Sequence, residues 1–172
     1  MTDHPRPGTA PATGEGGLAV DLRILDTRLG GWGFPRWGSA LAAGLDLHAC
    51  LDEPLTLAPQ AVPVLIPAGF AVAIRDPGWC ALVCPRSGLG HRGLVLGNTI
   101  GVIDADYEGP LMLSVWNRSP AGTEPLEVRP GDRIAQLVFT RVARPSLRIV
   151  EAFAPGAEGG RGAGGFGSSG LR

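Results

Sequence analysis

The chain has 172 residues, a length that suits one domain with a substantial hydrophobic core. Its 15 basic and 16 acidic residues are interspersed and give a formal net charge of −1, so no broad basic field exists for the phosphate backbone of a nucleic acid. No stretch approaches the roughly 20 apolar residues of a membrane span, and the N-terminus lacks an apolar signal-peptide core. We therefore expect a soluble protein of a reducing compartment, the cytoplasm, whose partner is neither a nucleic-acid polymer nor a membrane.

Glycine and proline, 27 and 16 residues respectively, are concentrated at the two ends of the chain, while the middle carries the apolar runs. Segments rich in these residues and poor in large apolar side chains cannot bury enough surface to fold. We predict a disordered N-terminal extension at residues 1–17, a single β domain at residues 18–154 and a flexible, glycine-rich C-terminal arm at residues 155–172.

In chain order, alternating apolar and polar residues predict strands near residues 20–24 and 45–49. Short apolar runs then recur about every ten residues, as in all-β proteins, and predict strands at residues 62–66, 70–74, 79–84, 94–96, 111–116, 134–139 and 147–150. Turn-forming residues separate them at residues 67–69, 76–78, 108–110 and 129–132. Any helix is limited to a turn or two near residues 87–91. The pattern predicts an all-β sandwich, jelly roll or small barrel.

Two segments place polar groups beside apolar strands. Residues 43–47 put Asp46 inside an otherwise apolar strand, where it is either the structural partner of an arginine or part of a site. Residues 85–90 put Arg86 and Ser87 between a strand end and glycines. A guanidinium, a hydroxyl and free backbone N–H groups at such a turn suit phosphate oxygens, and a plain turn accounts for them equally well.

Residues 97–109 are the most informative segment of the chain. They predict a hairpin of two short strands around residues 99–101, followed by an acidic turn. Asp104 follows two apolar residues, so we expect it at a strand end with an apolar wall behind it, where a carboxylate can orient and deprotonate water. Tyr107, the only tyrosine, lies in the same turn. An ordinary hairpin with a polar turn is the alternative.

Two further segments lie towards the C-terminus. Residues 130–137 lead from a turn into a buried strand that carries Gln136, whose amide is costly to bury without hydrogen bonds, and this mismatch indicates a site. Residues 161–170 are glycine-rich and cannot pack by themselves, so they are either disordered or a segment that closes over a ligand. The groups available for such a closure are Arg161, Phe166, Ser168 and Ser169.

These five segments resemble, in order and spacing, the five motifs of the trimeric dUTPase family, through the strings PRSGL, GxIDxDY, RIAQL and RGxGGFGSSG, and they span residues 43–170. The resemblance implies a jelly-roll or distorted β-barrel fold and a homotrimer with active sites at subunit junctions, each closed by a C-terminal arm from another chain. It also implies hydrolysis of dUTP to dUMP and pyrophosphate, which limits uracil in DNA and supplies dUMP. The implied cofactor is Mg²⁺, held by substrate phosphates and water with no protein ligand.

The resemblance also implies a role for each matching residue. Asp104 would orient the attacking water, and Asp46 would support the groups near the phosphates. Uracil and deoxyribose would contact Asn98, Gly101, Ile103, Tyr107 and Phe166. The phosphates would contact Arg86, Ser87, Gly88, Gln136, Arg161, Ser168 and Ser169.

Two alternatives share the expected fold. A dCTP deaminase-like enzyme needs a glutamate base in the pocket, where this sequence offers Asp104 with Asn98 and Tyr107. A non-catalytic nucleotide-binding relative is disfavoured because Asp104, Arg86 and Tyr107 are all present. Ammonia release from dCTP would favour the first alternative over dUTP hydrolysis.

Overall fold

The computed structural model of the chain describes residues 17–153. The expected N-terminal extension, apart from Gly17, and the expected C-terminal arm therefore lie outside the described residues.

Within residues 17–153 the regular structure consists of ten strands and two short helices, and every strand pair is antiparallel. The strands are β1 Asp21–Ile24, β2 Leu45–His48, β3 Leu55–Leu57, β4 Val64–Ala73, β5 Trp79–Pro85, β6 Leu94–Leu96, β7 Gly101–Ile103, β8 Pro110–Asn117, β9 Leu126–Val128 and β10 Arg133–Arg141. The helices are α1 Arg28–Gly31 and α2 Ser87–His91.

The strands form two four-stranded sheets and one strand pair. The first sheet has the order β1-β4-β8-β6, the second has the order β2-β10-β5-β7, and β3 pairs with β9. The predicted all-β class is confirmed, and none of these sheets closes into a barrel within the described residues. Neither helix of this part of the chain is long and apolar enough to cross a membrane.

One hydrophobic cluster joins the inner faces of the two larger sheets. Phe70 and Leu113 enter it from the first sheet, and Leu47 and Leu137 enter it from the second; all four are fully buried. Each such side chain contributes about 1.5–3 kcal/mol through its removal from water. The cluster therefore fixes the second sheet, whose strands carry Asp46 and Gln136 and lead directly into Arg86 and Asp104.

Residues 67–69, predicted as a turn between two strands, are a bulge inside the single strand β4. Between Pro67 and Ala71, four residue steps on β4 face only two on β8. Gly69 has a φ of 80°, and its carbonyl accepts two backbone N–H groups from the segment that follows β1. Glycine and proline here accommodate an irregularity within a strand rather than end it.

Of the other predicted elements, the strand at residues 147–150 is absent and the helical turn at residues 87–91 is present. Residues 147–150 form no strand; Leu147 and Ile149 are 87% and 101% exposed, because the apolar run has no partner strand in the described part of the chain. The helical turn expected at residues 87–91 is confirmed as α2. The apolar pattern of the sequence did not predict α1, β3 and β9, because these elements are only three or four residues long.

The bulge gives a test of the packing beneath β4. A methyl group added at Gly69 would collide with Sγ of buried Cys50, and alanine would have to adopt the positive φ of this position. Gly69→Ala should therefore lower the free energy of unfolding by about 2–4 kcal/mol. Gly122→Ala is the matched control, because Gly122 has a φ of 86° with nothing within 4 Å of an added Cβ, and it should lose only about 1 kcal/mol. Denaturant unfolding at one fixed protein concentration measures both. Equal losses would contradict the collision.

Candidate functional site

Asp46 is the centre of a charged cluster at the β2 edge of the second sheet. Its side chain is only 8% exposed. Arg133 donates Nη1–H to Oδ2 of Asp46 at 2.9 Å, and Nε of Arg86 lies 3.3 Å from Oδ1. Arg86 also donates to the backbone carbonyl of Arg133 at 2.8 Å. A buried carboxylate needs such compensation. Asp46 is therefore the structural partner of arginines, which was one of the two alternatives from sequence, and it also holds Arg86 in place.

Gln136 on β10 lies opposite Asp46 on β2. Its Nε2–H donates to the carbonyl of Pro85 at 3.0 Å, which satisfies the amide and ties β10 to the residue that precedes Arg86. Gly44 makes room for this side chain, because an added Cβ there would collide with Oε1 of Gln136. We call Asp46, Arg86, Arg133 and Gln136 the arginine cluster.

The first turn of α2 extends the arginine cluster towards solvent. Ser87 and Gly88 are exposed, and the first backbone N–H groups of a helix have no intrahelical acceptor. With Arg86 and Arg92 they line an open depression of about 330 Å³. Neither a role for Arg92 nor one for Arg133 was predicted from the sequence. The available signal was position: Arg133 begins the RIAQL motif, and Arg92 lies a few residues beyond PRSGL.

His48 and Trp32 border the arginine cluster, and neither was predicted from the sequence to belong to a site. His48 lies opposite Arg133 and is 3% exposed, and its ring stacks on Trp32 with centroids 5.9 Å apart. Burial lowers the pKa of His48 below its ordinary value, which keeps the imidazole neutral beside Arg133 and Arg86. Its Nδ1 is buried without a hydrogen-bond partner among residues 17–153. Trp32 in turn packs on Gly131, where an added Cβ would lie 2.8 Å from the indole.

The turn at residues 97–100 links the two larger sheets, so the expected hairpin is wrong. β6 pairs with β8 and β7 pairs with β5, because the chain passes from one sheet to the other at this turn. Thr99 has a φ of 62°, and its N–H donates to a β6 carbonyl at 3.0 Å. Gly101 lies opposite Val83, and an added Cβ would approach Nδ2 of Asn98 to 3.4 Å. The tight turn leaves Asn98 exposed beside the start of β7.

Asp104 directly follows Ile103, the last residue of β7, so its expected place at a strand end is confirmed. Asp104 is exposed and lines a depression of about 430 Å³ whose walls include tryptophan, leucine and valine side chains. Tyr107 donates its hydroxyl hydrogen to the carbonyl of Pro110 at 2.9 Å. Gly109 leaves room for this ring, since an added Cβ would lie 2.6 Å from the tyrosine oxygen.

The arginine cluster and Asp104 lie at opposite ends of β5. Arg86 follows the last residue of β5, whereas Ile103 of β7 lies opposite Ala81 near the start of β5. Continuing that register places Asp104 level with Cys80, which is six residues before Arg86 and so about 20 Å away at ~3.3 Å per residue. One chain therefore assembles the arginine cluster and the Asp104 turn as two separate groups.

The remaining sequence-predicted residues belong to the C-terminal segment. Arg161, Phe166, Ser168 and Ser169 lie outside the described residues. Their expected contact with a ligand stays a prediction.

A family model described as dUTPase matches residues 32–170. A deoxyuridine 5'-triphosphate nucleotidohydrolase of Xylella fastidiosa strain M23 is 52% identical over 155 residues, which cover 89% of this chain and 96% of the relative. A protein of the same description from Xanthomonas campestris pv. campestris strain B100 is 49% identical over 156 residues, which cover 90% and 98%.

Solved structures that align with this chain are also described as dUTPases. A Staphylococcus bacteriophage 80alpha dUTPase mutant with dUpNHpp aligns with a TM-score of 0.74 and 28% identity, covering 89% of this chain and 99% of that chain. A mutant dUTPase of Staphylococcus aureus phage phi11, described with a structural Mg(II) ion, aligns with a TM-score of 0.67 and 26% identity, covering 80% and 99%.

The fit between Gly44 and Gln136 gives a test of the arginine cluster. Gly44→Ala should displace the Gln136 amide from Pro85 and lower kcat/KM for dUTP, the substrate implied by sequence, about tenfold. Gly38→Ala is the control, because nothing lies within 4 Å of a Cβ added at Gly38, and its steady-state kinetics should match those of the unaltered protein. Equal kinetics for the two variants would separate Gln136 from the site.

Proposed function

The chain belongs to the dUTPase family and is an enzyme, and on this premise we propose that it hydrolyses dUTP to dUMP and pyrophosphate. The observation that carries the proposal is that the family match at residues 32–170 includes two distinct chemical groups. One is an arginine cluster suited to phosphate oxygens, and the other is a carboxylate fixed at a strand end beside a polar turn.

Asp104 supplies the base of the proposed reaction. Its carboxylate orients a water molecule and takes up a proton as the water oxygen bonds to the α-phosphorus. The bond from that phosphorus to the bridging oxygen breaks, and pyrophosphate leaves. Asp104 directly follows the last residue of β7, which is paired with β5. This pairing supports a fixed position for the Asp104 backbone and so limits the directions that its side chain can take.

The turns on either side of β7 provide the nucleoside pocket in this proposal. Asn98 and the backbone of residues 97–100 pair with the uracil edge, Gly101 and Ile103 line the pocket, and Tyr107 packs under the deoxyribose. The fixed positions of Gly101 and Tyr107 support this assignment, since each fits closely against a neighbouring side chain or glycine. A rigid turn excludes the 5-methyl group of thymine more strongly than the roughly 1–3 kcal/mol that a soft pocket provides.

The phosphates bind at the arginine cluster in this proposal. Arg86 donates to phosphate oxygens with the Ser87 hydroxyl and the N–H groups at Gly88, while Gln136 holds the strand beside them. Asp46 keeps Arg86 oriented before substrate arrives. We extend the proposal to the C-terminal segment, which closes over the substrate with Phe166 on the base and three groups on the γ-phosphate, namely Arg161, Ser168 and Ser169.

Mg²⁺ fits this site as a companion of the substrate. No group of three or more His, Cys, Asp or Glu side chains that could hold a metal occurs in residues 17–153, and both oxygens of Asp46 face guanidinium groups. Triphosphate oxygens and water would hold Mg²⁺ without a dedicated protein ligand. When bound, Mg²⁺ neutralises charge on the triphosphate. Arg86 supplies further positive charge at the same phosphates.

We propose a homotrimer whose active sites combine residues of neighbouring chains. The separation of about 20 Å between Asp104 and the arginine cluster supports shared sites, because one triphosphate must reach both groups. Exposed apolar side chains near the end of the described residues also support assembly, since burial against another chain would remove them from water; these are Leu147, Ile149 and Phe153.

The state of the cysteines supports a cytoplasmic location. Cys50, Cys80 and Cys84 are all free thiols. Burial raises the pKa of Cys50 to about 12, so this thiol stays protonated and unreactive. Thiols that remain unpaired suit a reducing compartment.

Substrate selectivity tests the proposed reaction. With Mg²⁺, the purified protein should release pyrophosphate from dUTP and react at least about 100-fold more slowly with dTTP and UTP, because the rigid pocket excludes the 5-methyl and 2′-hydroxyl groups. A coupled pyrophosphate assay measures all three, and an ammonia assay with dCTP serves as the control for deamination. No pyrophosphate from dUTP would refute the proposal.

Replacement of the proposed base tests its role. Asp104→Asn should retain dUTP binding and lose turnover by about 10²–10⁴-fold, because the amide cannot accept the proton of the attacking water. Glu124→Gln, which removes an exposed carboxylate outside the five matching segments, is the control and should keep near-normal turnover. Single-turnover kinetics and calorimetric titration with dUTP separate the two steps. Normal turnover in Asp104→Asn would remove this residue from its assigned role.

A further inference from the structure

Arg75 occupies an unusual position between β4 and β5. It follows the end of β4 closely and has a φ of 57°, in the left-handed region that residues other than glycine, asparagine and aspartate seldom adopt. A backbone held in this region costs energy and persists where surrounding contacts determine it. The contacts of Arg75 show what is gained.

Both the backbone and the side chain of Arg75 contact the acidic turn at residues 104–108. The N–H of Arg75 donates to the carbonyl of Ala105 at 2.8 Å. Its Nε–H donates to Oε1 of Glu108 at 2.9 Å, and its Nη1–H donates to Oδ2 of Asp21 on β1 at 3.1 Å. One residue therefore connects the acidic turn to β1 and to the β4–β5 connection.

The acidic turn has few other ties. Tyr107 donates its N–H to the carbonyl of Asp104 within the turn, and its hydroxyl bonds to Pro110 at the start of β8. Among residues 17–153, Arg75 alone links residues 104–108 by hydrogen bonds to a segment outside β7 and β8. Both side chains of the turn that act in the proposed function lie next to a residue that Arg75 contacts. Asp104 directly precedes Ala105, and Tyr107 directly precedes Glu108.

We propose that Arg75 is a positioning residue that fixes the acidic turn, and so sets the placement of Asp104 and Tyr107, by joining Ala105, Glu108 and Asp21. The inference rests on the proposed function, because it concerns the placement of the groups that act there. Misplacement of a reacting group by about 1 Å lowers turnover much more than it lowers binding, which many contacts share. Arg75 is itself exposed and touches no reacting atom, so its effect on the reaction is indirect.

Kinetic variants separate the side chain of Arg75 from its backbone. Arg75→Asn keeps the N–H contact to Ala105 in a residue that tolerates positive φ, so folding is preserved, and it removes both ion pairs. We expect kcat for dUTP to fall about three- to tenfold with KM changed less than twofold. Arg75→Lys keeps the positive charge and should restore at least about half of kcat. Glu108→Ala, which removes the oxygen that accepts Nε–H of Arg75, should resemble Arg75→Asn, and the double variant should lose no more than either single one.

Arg129→Asn is the matched control. It removes another exposed arginine–glutamate pair, Arg129 with Glu127, whose side chains are 71% and 46% exposed against 63% and 54% for Arg75 and Glu108. We place neither Arg129 nor its side-chain contact in the site, so turnover should be unchanged. This control shows how much the loss of one exposed positive charge by itself changes stability or the approach of an anionic substrate.

A second readout does not depend on activity. Because Tyr107 is the only tyrosine, protein labelled with 3-fluorotyrosine gives a single ¹⁹F resonance from the acidic turn. Arg75→Asn should shift or broaden this resonance, and Arg129→Asn should leave it in place. An unchanged resonance or an unchanged kcat in Arg75→Asn would overturn the proposal. A wild-type protein that does not hydrolyse dUTP would refute the proposed function, whereas failure of the Arg75 proposal alone would leave wild-type turnover intact.

Discussion

The length of β5 and its pairing with β7 determine how this chain can carry out its chemistry. Antiparallel pairing puts the end of β7 beside the start of β5, so Asp104 and Arg86 are about 20 Å apart on the second sheet. The sheet is held by a fully buried core, and strand register cannot slip by one residue without turning the core side chains outward. The two groups therefore cannot approach each other by a small adjustment within one chain. This constraint supports the proposed site shared between chains.

Charge compensation in the arginine cluster explains how the proposed phosphate-binding groups are held in place without a ligand. Asp46 is nearly buried and would be costly without its two guanidinium partners, so Arg86 and Arg133 are held in fixed directions. Buried His48 adds no third positive charge beside these arginines, because burial lowers its pKa and keeps the imidazole neutral. Fixed donors stabilise charge on a leaving group more effectively than donors that must reorient during the reaction.

Much of the fold could be predicted from the sequence, because local chemistry determined it. The roles of the candidate site residues came from the resemblance to the dUTPase family and remain predictions. The alternation of apolar residues located most strands, and the glycine-flanked turn after β5 located Arg86 and Ser87. Contacts between distant segments could not be predicted. Whether β6 pairs with β7 or with β8 depends on which sheet each strand joins, and nothing within residues 97–100 records that choice. Arg75 likewise shows its role only beside Ala105, Glu108 and Asp21, which come from other elements.

The central claim is that each active site combines Asp104 of one chain with the arginine cluster of another, and subunit mixing tests it most directly. Arg86→Ala and Asp104→Asn, each inactive alone, would be unfolded together in equal amounts and refolded. In a closed symmetric assembly about a quarter of the sites then receive an intact Arg86 and an intact Asp104 from different chains, so about a quarter of wild-type dUTP turnover should return. If both groups acted within one chain, every site would lack one of them. Turnover no greater than that of the separate variants, in mixtures that a mass measurement shows to contain both chains, would contradict the account.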